Sequence, residues 1–287
     1  MTYATPKAFR VALEHRLVAQ SIESGISIDR LRRRVLFARI LARLEAAEPG
    51  IWVLKGGMAL EVRLQDDARL TKDVDLGLRD EVTNAADLHD RLIDALRVDP
   101  FADSFVLEVQ RPTPLAEDEV GRSTWRASVT AHLAGTKFAG VHLDISPRSH
   151  ELKDTDHVEV PNSLAFAGIP ATIVEVVDIH RHAAEKFHGM LRDLGERENS
   201  RVRDLVDLVI LLEHEMLDMS AVAAACVQVW SERNGTMPPA TLPALPYSWP
   251  RSYERLAADL DLDARSFAVA YALMGDMWAR MFPSKEI

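Results

Sequence analysis

Residues 51–57 read Ile-Trp-Val-Leu-Lys-Gly-Gly, and Met58 to Leu64 then carries a helix-like pattern. A short apolar strand that meets paired glycines and runs straight into a helix leaves few folds open. Glycine lets the backbone come close to a ligand, and the first helical turn offers unpaired N–H groups to an anion. Lys55, Gly56 and Gly57 are therefore candidate nucleotide-phosphate contacts. A second strand is expected at Val74–Leu78, close behind.

The rest of the chain sorts around this unit. Residues 7–20 and 28–48 read as helices, the second closed by Pro49-Gly50. Residues 84–97 read as a helix ending before Pro100. Strands are expected at 104–110, 123–134 and 137–146, with a turn at Gly135-Thr136. From about Pro161 the pattern is helical, over 172–194, 200–217, 219–232, 251–260 and 264–282. Pro238-Pro239, Pro243, Pro246 and Pro250 mark an irregular connector. The expected class is α+β: an N-terminal helical arm (1–50), a mixed α/β core (51–160) and a helical C-terminal region (161–287). Trp52 and Trp125 read as strand and core residues. Met274, Met277 and Met281 lie at helical spacing, which suits a packed helix.

Asp73-Val74-Asp75 is the sharpest chemical feature. Residues i and i+2 of a strand face the same way, so both carboxylates project together. Two adjacent carboxylates repel unless positive charge sits between them. Mg²⁺ suits such a pair, binding through one or two carboxylates plus substrate phosphates. Alone, the motif equally fits two surface acids at a strand end. Arg69-Leu70-Thr71-Lys72 precedes it directly. Arg69 and Lys72 can offset phosphate charge, and Thr71 can donate a hydrogen bond. In Val141–Ser146, His142, Asp144 and Ser146 alternate with apolar residues. Asp144 can thus be a third metal ligand beside Asp73 and Asp75, or an ordinary polar-face residue. In a two-metal site one ion activates the attacking hydroxyl and the other steadies the leaving group.

Gly56-Gly57, a helix and Arg69-x-Thr71-x-Asp73-x-Asp75 together resemble the signature of the AbiEii/AbiGii toxin family. Glu185-Lys186-Phe187-His188 resembles its helical lysine motif. Arg201-Val202-Arg203-Asp204-Leu205-Val206-Asp207 resembles its R-x-K-D-x-x-D motif, with Arg203 standing where lysine is common. Order and spacing match over about residues 51–212. The resemblance implies a nucleotidyltransferase-like (polymerase-β-like) fold, Mg²⁺ and an NTP co-substrate. It implies growth inhibition, tRNA 3′ ends as acceptor and a cognate antitoxin. It makes Lys186 a contact to the triphosphate or pyrophosphate, Arg203 a nucleotide contact, and Asp207 a catalytic residue of open role. Read without it, Asp178, His182 and Lys186 could be a solvated ladder at i, i+4, i+8, and Arg203 with Asp207 a plain salt bridge. His180 and His182 fall on different helix faces, which disfavours a zinc site.

Net charge is −10, which counts against a broadly basic nucleic-acid binder. Residues 1–50 run the other way, with nine Lys and Arg against five Asp and Glu. Arg32, Arg39 and Arg43 fall on one helical stripe, either a solvated face or a phosphate-facing ridge. The negative charge keeps alternatives open: nucleotidylation or phosphorylation of a protein, or a nucleotide-binding protein without turnover. No segment reaches the roughly 18 apolar residues of a membrane span. The start lacks a signal-peptide core, and Cys226 is the single cysteine. A cytoplasmic protein is expected.

Overall fold

Two helices lead the chain, α1 (Pro6–Ser24) and α2 (Ile28–Ala47). Thr5 caps α1 by accepting from the Ala8 N–H, Pro6 opens its first turn, and Gly25 closes it at φ 72°. These are the terminus chemistries a helix favours. β1 (Trp52–Lys55) and α3 (Gly56–Leu64) follow without a linker. Next come β2 (Asp73–Leu78), α4 (Ala85–Arg97), β3 (Phe105–Val109), β4 (Thr113–Glu117), β5 (Ser123–Leu133), β6 (Thr136–Pro147), β7 (Thr155–Glu159) and β8 (Ile173–Val177). The remainder is helical: α5 (Ile179–Leu191), α6 (Val202–Glu213), α7 (Met219–Asn234), α8 (Trp249–Asp259) and α9 (Phe267–Met281). This computed structural model describes residues 3–69, 71, 73–117 and 123–283.

The chain divides into two compact units. Unit 1 is Met1–Arg63 with Thr71–Val176, and unit 2 is Leu64–Leu70 with Val177–Ile287. In unit 1 the sheet order is β3-β5-β6-β2-β1-β8-β7, with β4 on β5. β1 and β2 run antiparallel, while β2 with β6 and β1 with β8 run parallel, so the sheet is mixed. One face is apolar: Val74 and Leu76 of β2, Ala127 and Val129 of β5, and Leu143 and Ile145 of β6 are buried. That face packs against α2. The alternation in 141–146 behaves as expected, with His142, Asp144 and Ser146 off the apolar face.

Three readings need correction. Residues 173–177 form a strand, not the start of a helix; α5 begins only after Asp178, whose carboxylate accepts from the His180 and Arg181 N–H groups. A β-branched run of Ile-Val-Glu-Val-Val favours a strand, and Asp is a favoured N-cap. Asp178 is thus a cap, and His182 and Lys186 are buried, so the three are no solvated ladder. The arginine stripe of α2 is neither a solvated face nor a phosphate ridge. Arg39 and Arg43 are buried, and Arg43 bonds Asp103 at 2.8 Å and the Leu96 and Phe105 carbonyls at 2.9 and 2.7 Å. Arg32 instead reaches Glu14 of α1 at 2.8 Å.

Unit 2 packs α5 to α9 around Phe187, Trp230 and Trp278, with Phe187 and Trp278 ring centres 5.2 Å apart. Met274, Met277 and Met281 are buried there. Burial pushes the Cys226 thiol up to about 12, leaving it a packing residue. The proline connector is irregular and anchored: the Trp278 indole donates to the Pro239 carbonyl at 3.0 Å. No helix among the described residues is long and apolar enough to cross a membrane.

Candidate active site

Strand register lays four charged residues in one row across unit 1. Lys55 of β1 pairs with Asp75 of β2, Asp75 with Asp144 of β6, and Asp144 with Arg126 of β5. Residues directly opposite on neighbouring strands share a face, so the row reads +, −, −, + on the polar side of the sheet. Asp73 lies beside His142, which lies opposite Ser128. The Ser128 hydroxyl and His142 Nδ1 are 3.1 Å apart. On the other side, Gly77 lies beside Ser146, whose hydroxyl is 3.2 Å from that of Thr124.

Each carboxylate of the row is held differently. Gly56 opens α3 at φ +58°, and a Cβ there would stand 2.6 Å from Asp75 Cγ. Only glycine lets the Asp75 carboxylate lie at that helix start, where unpaired N–H groups and the helix dipole favour negative charge. Asp144 receives both Arg126 nitrogens, Nε on Oδ1 at 2.7 Å and Nη2 on Oδ2 at 2.6 Å. The same Nη2 is 3.6 Å from Asp73 Oδ2. The Asp144 bond raises the Arg126 pKa above its ordinary value against the effect of burial, and Asp73 and Asp75 add to it. Lys55 donates to buried Glu151 at 2.8 Å. A Cβ on Gly77 would meet Leu152 at 2.6 Å, so the turn carrying Glu151 and Leu152 lies close over this end of the face. Thr71 donates its hydroxyl to the Asp73 carbonyl at 3.2 Å.

The donor set suits a hard divalent cation, being carboxylate oxygens that face one another across two strands. A cation already bridges two of them, since the Arg126 guanidinium stands between Asp144 and Asp73. Among the described residues, no three His, Cys, Asp or Glu side chains stand arranged as a ready metal cage. Oxygen chemistry and a position that accepts positive charge are present, and Arg126 fills that position.

A second charged cluster lies within unit 2. Arg69 grips Asp207 with two bonds, 2.7 and 2.9 Å long. Lys186 Nζ lies 2.6 Å from the same carboxylate and 3.1 Å from Asp204. Asp207 is fully buried. Burial alone would push its carboxyl up, but the Lys186 ammonium and the Arg69 guanidinium outweigh that and hold it below its ordinary range. Burial likewise works against charge on Lys186, and Asp207 with Asp204 overcomes it and raises its pKa. A Cβ on Gly189 would stand 2.7 Å from Asp204 Oδ2, so this helical glycine makes room for the cluster.

Of the sequence-predicted residues, the fold brings Lys55, Gly56, Gly57, Thr71, Asp73, Asp75 and Asp144 into unit 1. It gathers Arg69, Lys186 and Asp207 in unit 2. Arg203 is exposed on α6 and does not pair with Asp207, whose partners are Arg69 and Lys186. Lys72 lies outside the described residues. Sequence reasoning missed Arg126, Glu151 and Gly189, and gave Asp204, the first acid of the R-x-K-D-x-x-D match, no role; here it pairs with Lys186. A glycine inside a helix was a signal for Gly189, since it costs stability without a packing reason.

This mixed sheet with flanking helices and a row of strand-borne acids is a nucleotidyltransferase fold of the polymerase-β-like α+β kind. MenT4, a nucleotidyltransferase toxin of Mycobacterium tuberculosis H37Rv, shares it: 17% identity, 93% of this chain and 98% of that one covered, TM-score 0.56. An H. pylori protein assigned as a nucleotidyltransferase aligns over 90% of this chain and 96% of its own, at 18% identity and TM-score 0.46. A search of curated proteins finds no match. The family model described as "Nucleotidyl transferase AbiEii toxin, Type IV TA system" matches residues 39–282, and the chain belongs to that family.

Proposed function

We propose that this toxin transfers a nucleotide from an NTP to a hydroxyl at a tRNA 3′ end, blocks translation and growth by doing so, and is countered by a cognate antitoxin. The observation that carries the reading is the Lys55–Asp75–Asp144–Arg126 row with Asp73 beside it, in a chain of a nucleotidyl transferase toxin family. Asp73, Asp75 and Asp144 would hold Mg²⁺. Bound there, the metal supplies Lewis-acid activation of the acceptor hydroxyl and neutralises the leaving pyrophosphate. Gly56 and Gly57 offer the start of α3 to phosphate oxygens, Thr71 adds a hydroxyl at the entry to β2, and Lys72 would add a positive charge. Lys186 and Asp207 act by positioning: they fix Arg69 and the segment it belongs to. Arg203 offers an exposed cation to an anionic phosphate.

The test is incubation with each NTP, labelled at the α or the γ phosphate, together with whole-cell RNA and protein. The expected product carries α-label, is destroyed by nuclease and runs with tRNA. A γ-labelled product would make the enzyme a phosphoryl transferase. A protease-sensitive product would move the acceptor to protein, the alternative that the −10 net charge keeps open. Nucleotide binding with no label in any fraction would remove the enzymatic reading.

A further inference from the structure

Asp144 already has a cation on it. Both its oxygens are taken by Arg126, at 2.7 and 2.6 Å, and the same guanidinium lies 3.6 Å from Asp73. Among the described residues Arg126 has no other hydrogen-bond or ion-pair partner. The two cations of the row differ sharply. Lys55 is buried and tied to buried Glu151, whereas the Arg126 side chain keeps 36% of its surface exposed. Water reaches a guanidinium so placed, and although it grips Asp144 with two bonds it brings one charge against the two of a divalent ion. The planar fork that fits Asp144 also fits a phosphate with two parallel bonds.

We propose that Arg126 is a displaceable counter-ion: it holds Asp144 and shields Asp73 in the free protein, yields both to a divalent ion, and then turns its fork to the triphosphate. No bond is made or broken in this exchange; one cation replaces another, and the released one meets the anion that arrives with the metal. The proposal rests on the metal reading under Proposed function and adds a residue to it. It predicts opposite effects of one substitution on two ligands, which a residue that merely staples β5 to β6 would not give.

The experiment uses the full chain and two probes: Mn²⁺ alone, followed by its electron spin resonance signal, and non-hydrolysable α,β-methylene ribonucleoside triphosphates at saturating Mg²⁺. Wild type, Arg126→Ala, Arg126→Gln, Asp144→Ala and the Arg126→Ala/Asp144→Ala double variant are compared, with circular dichroism as the folding control. Removing a neighbouring positive charge should tighten Mn²⁺ binding about tenfold. That gain should vanish when Asp144 is also absent, because the coupling runs through that carboxylate. Analogue binding should weaken about tenfold or more through loss of the charged bidentate contact. Arg126→Gln should behave as Arg126→Ala if the charge is what matters. Unchanged or weaker Mn²⁺ binding in Arg126→Ala, a gain that survives without Asp144, or unchanged analogue binding overturns the proposal. If Mn²⁺ binds in a manner dependent on Asp73 and Asp75 but blind to Arg126, this proposal alone falls. If Mn²⁺ binds none of the variants or wild type, the metal reading falls with it.

Discussion

A Cβ on Gly56 would stand 2.6 Å from Cγ and 2.9 Å from Cβ of Asp75, so the glycine at the start of α3 and the second acid of the Asp-x-Asp motif occupy adjoining space. Gly56, the first of the pair that reads in sequence as a phosphate turn, is required first by the protein's own carboxylate. Gly56→Ala should therefore damage the site more than the fold. The left-handed backbone alone costs about 1–2 kcal/mol for a residue with a side chain. Displacing Asp75 by an ångström should cost about 100-fold in transfer rate. Urea unfolding and labelled-nucleotide transfer, run on the same preparation, separate the two losses.

Asp207 neutralises Lys186 and Arg69 in the interior of unit 2. Asp207→Asn keeps the shape, removes the carboxylate that Arg69 grips, and leaves Lys186 with Asp204 at 3.1 Å. Removing one partner of a buried ion pair costs about 3–5 kcal/mol, and we expect a loss in that range by chemical denaturation. Gly189→Ala, which crowds Asp204, should destabilise in the same direction. Asp73→Asn should be close to neutral, because it relieves repulsion among half-exposed acids.

The same cluster sets a pH dependence. The folded Asp207 pKa lies below its unfolded value, so its stabilisation is present above the unfolded carboxyl pKa and is lost as pH falls through the folded one. The folded Lys186 pKa is raised, so its share is present below the unfolded lysine value and is lost as pH rises through the folded one. The stability gap between wild type and Asp207→Asn should be widest near neutral pH and narrow below about pH 4, where unfolded carboxyls protonate. A gap constant from acid to neutral pH would contradict the assignment.

How much of this was legible in sequence depended on how local the cause was. The acid pair, Asp144 and the polar face of β6 follow from strand alternation, which needs only nearest neighbours. Arg126 does not. Counting back from the turn after β5 with strict pairing puts Trp125 opposite Asp144. A register shift at Ala131/His132 moves Arg126 there instead, and a bulge leaves little mark in sequence. The arginines of α2 misread for another reason: their partner Asp103 is far along the chain, so a helical wheel showed a charged stripe and not its burial. Ile173–Val177 falls inside the stretch 172–194 that reads as one helix; its β-branched residues and the Asp178 cap are the local marks of the boundary. Lys186 and Asp207 came from family resemblance, which located them without giving their contact with Arg69.

Asp103 should be among the costliest single positions in unit 1. Burial lowers the Arg39 pKa and raises that of Asp103, so pairing offsets an interior already unfavourable to charge. Asp103→Ala leaves Arg39 and Arg43 buried with Asp99 only partly exposed beside Arg43, and should cost about 3–5 kcal/mol. Arg32→Ala, which breaks a partly exposed pair with Glu14, should cost no more than about 1 kcal/mol. Thermal and urea unfolding of the two variants give the comparison.

The most direct measurement is transfer of α-labelled nucleotide to whole-cell RNA by wild type, Asp75→Asn and Asp73→Asn, each first shown to unfold at the wild-type urea midpoint. We expect wild type to label a tRNA-sized product and both variants to lose at least about 100-fold in rate, as when a group stabilising the transition state is removed. Equal labelling by a folded Asp75→Asn protein would contradict the assignment of the acid row as the site of chemistry.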